Sequence, residues 1–261
     1  MDAFQALVFG VLQGIFEWLP ISSQGQVMNF TIAFFNINAD EAFRIASTLH
    51  IGTLFSALIY FRKDVWEILS FRETRMLKFL LVAVFSTALT AFPCYYLLKI
   101  LVTQQENRVV MIVTSLLLVL MGALLIIVGR FKVVRSKKPL TEKSAFITGL
   151  AQGLSILPGI SRSGITVSAL LLQGYDAESS FKTSFILSIP TVIFGEMILL
   201  FFEPVAIETV TFVGILSAFF VGLASIGLLM KIAKKVNFGK ICIMFGVLYF
   251  LIVLIDLNLL F

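Results

Sequence analysis

Residues 149–168 read GLAQGLSILPGISRSGITVS. Proline removes a backbone donor and glycine costs helix stability, so Pro158, Gly159 and Gly164 make this stretch turn rather than span. Ser161, Arg162, Ser163 and Thr166 crowd hydrogen-bond donors around the break. In hydrocarbon, broken backbone is tolerated only where protein or a water-filled cavity supplies partners. An arginine there is expensive and marks a functional site by default. Free N–H groups, hydroxyls and a guanidinium fork converging at a helix start suit an oxyanion, above all a phosphate.

The surroundings of that stretch set the class. The chain has 261 residues, of which 59% are hydrophobic and 13% charged, with a mean hydropathy of +1.02. This is too apolar for a solvated surface, and it predicts an all-α polytopic membrane protein. The net charge of +5 sits in a few loop clusters, a pattern that favours the positive-inside rule over nucleic-acid binding. Cys94 and Cys242 fall inside apolar runs and are expected as small core residues rather than a disulfide or metal pair. No basic segment or cleavage pattern opens the chain, so no removed signal peptide is expected.

A spanning helix takes about 20 residues. Six candidates of that length lie near 43–61, 77–101, 107–130, 181–203, 208–232 and 239–259. Residues 3–33 instead form two half-length runs broken between Pro20 and Gly25, which reads as a re-entrant hairpin; 144–174 reads as a second. Arg62, Lys63, Arg72, Arg75 and Lys78 fill one loop, and Lys132, Arg135, Lys137, Lys138 and Lys143 another. Lys231, Lys234, Lys235 and Lys240 fill a third, whereas the loops near 102–107 and 203–208 carry no Lys or Arg. Strict alternation of six spans then puts every basic loop in the cytoplasm and both termini outside.

The chain also repeats itself. Gln13-Gly14 and Gln152-Gly153 are 139 residues apart, as are Ile21-Ser22 and Ile160-Ser161, and Gly25 and Gly164. ADEAFR at 39–44 parallels AESSFK at 177–182. One hairpin and three spans per half make residues 1–261 a single membrane domain of two inverted-topology halves, roughly 1–130 and 140–261. The two broken tips would then meet near the midplane, where such repeats place binding sites.

The first tip holds the complementary chemistry. Gln13 and Glu17 are four residues apart and share a helix face. Glu17 could accept a proton, hold a divalent cation or pair with Arg162; the plain alternative is a structural ion pair. Ser22 and Ser23 are candidate nucleophile and phosphate donor, or small residues that allow close packing at a break.

QGIFEWLPISSQGQ (13–26) together with PGISRSGIT (158–166) resembles the two signature motifs of the undecaprenyl-pyrophosphate phosphatase family, the bacitracin-resistance membrane phosphatases. LHIGTLFSALIYF, SFILSIPTVIFGE and FFVGLASIGLLMKIAKKVNF extend the resemblance over nearly the whole chain. It implies a plasma-membrane hydrolase, with its site on the extracytoplasmic face and a homodimeric assembly. Its substrate would be a polyprenyl diphosphate, cut to the monophosphate carrier used in envelope glycan synthesis. The acidic motif falls on Gln13 and Glu17, the hydroxyl pair on Ser22 and Ser23, and the phosphate clamp on Ser161, Arg162, Ser163 and Thr166.

One position departs from that pattern: the family usually carries a histidine where this chain has Gln26, and glutamine exchanges no proton near neutral pH. Gln13 and Gln26 are then expected to orient donors or a metal's waters, with Gln26 among the phosphate-binding residues. His50, the only histidine, lies within a span, where bonding between helices is expected ahead of catalysis. Arg44 and Lys182 at span entrances are expected to snorkel to headgroups. Glu196 sits in an apolar span, with no specific role assigned.

The mechanism this suggests has Arg162 gripping the diphosphate while Ser23, rather than water, attacks with help from Glu17. Mg²⁺ or Ca²⁺ beside Glu17 would take most of its ligands from the lipid phosphates. The rival class is a secondary transporter or lipid flippase on the same scaffold.

Overall fold

The computed structural model describes residues 1–130, 138–202, 209–233 and 236–258. Lys132, Arg135, Lys137, Lys234, Lys235 and the loop at 203–208 lie outside the described residues. Helices make up the described chain: α1 (Ala3–Phe16), α2 (Ser23–Phe35), α3 (Ala39–Tyr60), α4 (Arg62–Leu69), α5 (Thr74–Gln104) and α6 (Asn107–Arg130) form the first part. Then come α7 (Glu142–Gly153), a single 3₁₀ turn (Leu154–Ile156), α8 (Arg162–Leu172), α9 (Ala177–Phe202), α10 (Thr209–Ala233) and α11 (Phe238–Asn258). Six of these, α3, α5, α6, α9, α10 and α11, are long and apolar enough to cross a membrane. They are the six expected spans, with ends shifted by a few residues.

Local chemistry sets the starts of the short helices. Asp2 caps α1 and Thr141 caps α7, each through a capping box whose side chain takes a backbone N–H three residues on. Ser161 caps α8 in the same way, accepting from the Gly164 N–H at 3.1 Å. Ser22 precedes α2 in left-handed backbone, with φ of 62°, a conformation disfavoured for any residue with a side chain.

Tight packing follows three seams, two of them involving the short helices α1 and α7. Helix α1 lies along α10, and α7 along α5. Both seams work because glycine lets backbones approach. A Cβ on Gly149 would sit 2.2 Å from the Ala83 carbonyl oxygen, and one on Gly10 would sit 2.3 Å from that of Gly214. Helices α6 and α11 pair in the same manner, with Gly122 against Gly239. Such small-residue seams suit helices in lipid, where packing rather than water exclusion drives association.

Three sequence expectations meet a different arrangement. Residues 62–69, read as loop, form the short helix α4, which leaves Trp66, Leu69 and Phe71 exposed. Arg44 meets the carboxylate of Asp40 at 3.0 Å, and Lys182 reaches Asp64 at 2.6 Å, so each basic group has an acidic partner within the protein. Cys242 is buried as expected and its thiol faces the Pro20 carbonyl at 3.3 Å, but Cys94 is only half-buried.

The glycine seams predict a clear asymmetry between two glycines. Gly149→Val should destabilise the protein by about 1–3 kcal/mol, because α5 and α7 must part. Gly129→Ala, with nothing within 4 Å of the new methyl, should be neutral or better. Thermal unfolding in detergent reads both, and equal midpoints would contradict the close-packed seam.

Candidate active site

The two helix breaks meet. The Ser22 hydroxyl accepts the Gly159 N–H at 3.0 Å, and a Cβ on Gly25 would lie 2.6 Å from the Gly159 nitrogen. Gly159 itself has φ of 106°, which only glycine adopts without strain. From α10 and α11 the first break is held at Trp18, whose indole N–H donates to the Gly222 carbonyl at 3.0 Å, and at Pro20 by Cys242.

Glu17 stands at this junction with its side chain only 4% exposed. Its Oε1 takes the Arg162 guanidinium, which reaches across from the first turn of α8. Its Oε2 accepts from the Gln13 amide at 2.8 Å and the Ser23 hydroxyl at 2.6 Å. The His50 ring completes the group, with Nε2 3.4 Å from Oε2. A buried charge persists only when paired and hydrogen-bonded, and here both oxygens are engaged.

A cavity of about 320 Å³ opens beside this pair. The first turns of α2 and α8 line it through Ser22, Ser23 and Gln24 and through Ser161, Arg162 and Ser163. Two helix N-termini on one cavity give unpaired backbone N–H groups and positive dipole ends, which favour an anion. The opposite walls are apolar, supplied by Val84, Phe85 and Ala88 of α5 and by Val192, Phe194 and Leu199 of α9. The cavity is therefore amphipathic, polar at the breaks and oily beyond them.

Of the residues singled out from sequence, Glu17, Ser22, Ser23, Ser161, Arg162 and Ser163 line this space. Gln13 stands behind Glu17. Thr166 and Gln26 do not line the cavity. Thr166 donates to the Arg162 carbonyl at 2.8 Å and pairs with Ser184, and the fully buried Gln26 donates to the Ile21 carbonyl at 3.0 Å. Both brace the breaks from behind.

Sequence reasoning gave less weight to three contributors. His50 reaches Glu17, whereas its Nδ1 stays within its own helix, 2.9 Å from the Ala46 carbonyl oxygen. Gln152 donates to Thr87 and Thr191, both at 2.9 Å, and joins them in the lining. As the repeat counterpart of Gln13, it carried a usable signal. Glu196 also faces the cavity from α9.

The donor set for a divalent cation is thin. No three His, Cys, Asp or Glu side chains converge among the described residues, and both Glu17 oxygens are engaged. The described side chains therefore do not form a metal cage of their own.

Six membrane-length helices with a buried carboxylate–guanidinium pair at two facing helix breaks define a multi-pass membrane protein with a polar centre inside its bundle. The chain belongs to the family described as bacitracin resistance protein BacA, which matches residues 6–248. It is 35% identical to the undecaprenyl-diphosphatase of Methanococcoides burtonii, over 94% of this chain and 96% of that protein. Identity is 36% with the undecaprenyl-diphosphatase of Methanothrix thermoacetophila, covering 95% and 96% of the two chains. It is likewise 36% with that of Haloarcula marismortui, covering 92% and 93%.

The junction predicts how Ser22 variants rank. Ser22→Ala leaves the buried Gly159 N–H without its acceptor, costing about 1–3 kcal/mol, and keeps the Cβ that wild-type Ser22 already holds in left-handed backbone. Ser22→Gly loses the same hydrogen bond but not the backbone strain, so it should retain about 1 kcal/mol more stability. Denaturation midpoints in one detergent check this order, and Ser22→Ala as the more stable of the two would contradict it.

Proposed function

We propose that this protein hydrolyses undecaprenyl diphosphate to the monophosphate and inorganic phosphate, recycling the lipid carrier for envelope glycan synthesis and conferring bacitracin resistance. The observation that carries this reading is Ser23, hydrogen-bonded at 2.6 Å to a carboxylate that Arg162 holds in place, on the polar edge of an otherwise oily cavity. A nucleophile within hydrogen-bond reach of an oriented base is the general signature of an activated hydroxyl. The family and the names of its relatives point the same way.

The roles follow from placement. The diphosphate sits at the N-termini of α2 and α8, where backbone N–H groups, Ser161 and Ser163 take its oxygens. Arg162 has five N–H donors; one nitrogen faces Glu17 and another the Ser188 carbonyl at 3.5 Å, so the remaining N–H groups are left for the terminal phosphoryl group. Ser23 attacks the terminal phosphorus, and the bond to the bridging oxygen breaks, releasing the polyprenyl monophosphate. Glu17 receives the serine proton, with Gln13 fixing the carboxylate. Thr166 and Gln26 keep the two breaks in register from outside the cavity. The apolar walls between α5 and α9 take the polyprenyl chain. Mg²⁺ or Ca²⁺ would enter on the diphosphate, neutralising it, and no step here runs through the ion.

We read the broken segments as two re-entrant hairpins in an inverted repeat. The support is a swapped pairing: α1 of the first half packs on α10 of the second, while α7 of the second packs on α5 of the first. With the basic loops read as cytoplasmic, we read the site as opening to the extracytoplasmic side of the plasma membrane, as the family resemblance implies. A homodimer rests on the resemblance, and cross-linking in native membranes tests it. A transporter or flippase on this scaffold gives no reason for a serine hydrogen-bonded to the buried carboxylate.

Purified protein in detergent should release phosphate from undecaprenyl diphosphate, assayed with Mg²⁺, with Ca²⁺ and with chelator. Glu17→Gln, Arg162→Ala and Ser23→Ala should each lower kcat about 10²–10³-fold or more. Full activity in Ser23→Ala would move the attack to water. No release from the wild type, with lipid crossing vesicles intact, would favour transport.

A further inference from the structure

Among the described residues lining the cavity, the titratable side chains that the proposed chemistry leaves idle are His50 and Glu196, and His50 touches Glu17. It lies on α3, lines the cavity and is 15% exposed. Its Nδ1 is 2.9 Å from the Ala46 carbonyl oxygen and 3.2 Å from that of Ser47. A carbonyl only accepts, so Nδ1 must carry a hydrogen. The neutral ring then has its lone pair on Nε2, and Nε2 faces Glu17 Oε2 at 3.4 Å. That lone pair is placed to receive a proton arriving on Oε2, and the resulting imidazolium would be held by the carboxylate it faces. That same Oε2 already accepts the Ser23 hydroxyl at 2.6 Å. Ser23, Glu17 and His50 therefore form a continuous line for one proton, while Oε1 is fixed by Arg162.

We propose that His50 is the proton carrier of phosphoryl transfer, taking the Ser23 proton through Glu17 and supplying the proton exchange that Gln26 cannot. This rests on the hydrolase reading. As Ser23 Oγ bonds to the terminal phosphorus and the bridging P–O bond breaks, the hydroxyl proton passes to Oε2 and on to Nε2, giving an imidazolium. Water then attacks the phosphoserine. One of its protons returns to Ser23 by way of Glu17 and the other stays on the inorganic phosphate. The imidazolium loses its proton to cavity water, which closes the cycle. The titratable groups around His50 in the described lining are Glu17 from the first break, Arg162 from α8 and Glu196 from α9.

Two measurements test the assignment, the second without turnover. In the phosphate-release assay His50→Gln should lower kcat about 10²-fold or more with KM within about threefold, and its kcat–pH profile should lack one ionisation present in the wild type. The protein holds a single histidine, so ¹⁵N-histidine labelling gives one ring signal. The neutral ring should be the Nδ1–H tautomer, and Glu17→Gln should move its titration. A His50→Gln rate within threefold of wild type, or a lowered rate with every ionisation kept, would overturn the proposal. So would an Nε2–H tautomer, or a titration indifferent to Glu17→Gln. A wild type that releases no phosphate removes the hydrolase reading and the relay with it, and the ring signal then reads whether His50 and Glu17 still share a proton.

Discussion

The Glu17–Arg162 pair is the constraint on which the rest of the site depends. Each charge alone would be prohibitive inside a bundle of apolar helices, and each makes the other tolerable. Because one sits at the end of α1 and the other in the first turn of α8, the pair can form only if two interrupted helices come together. The Ser22–Gly159 hydrogen bond and the bare glycines at the junction allow that approach. The geometry of the candidate site and the architecture are in this sense one problem, solved at one place.

What surrounds the pair extends the same logic outward. Trp18 and Pro20 are fastened to α10 and α11, Thr166 to α9 through Ser184, and Gln26 to the backbone at Ile21. Polar side chains buried in hydrocarbon need partners, and here those partners belong to the breaks themselves. The first-turn hydroxyls of α2 and α8 stay directed at the cavity because the second row of groups satisfies the backbone behind them.

Much of this was legible in the sequence. Runs of apolar residues gave six spans to within a few positions, since a membrane fixes how long such runs must be. Pro20, Pro158 and Gly159 gave the breaks, and the motifs around them gave Glu17, Ser23 and Arg162. The repeat offset carried Gln152 as well, though only its partners Thr87 and Thr191 reveal what it does. Helix α4 was hidden because basic residues at 62, 63, 72 and 75 look like a loop, and its amphipathic turn is only eight residues long. The approach of His50 to Glu17 was hidden for a different reason. It depends on how α3 is rotated about its axis, which a lone histidine in an apolar run does not encode. Gln26 shows the converse: its place in a motif suggested the cavity, and packing turned it inward.

The cavity is built by two sets of parts that do not overlap. Its polar end is held by helix breaks and glycine seams, where a single methyl group is too much. Its oily walls are ordinary side chains on the faces of α5 and α9, such as Val84, Phe85, Val192 and Leu199. Changes on those faces alter the length and shape of hydrocarbon that fits while leaving the charged junction as it is. On the proposed function, lipid selectivity and phosphate chemistry are then separable traits in this scaffold, free to drift independently between membranes that carry different isoprenoids.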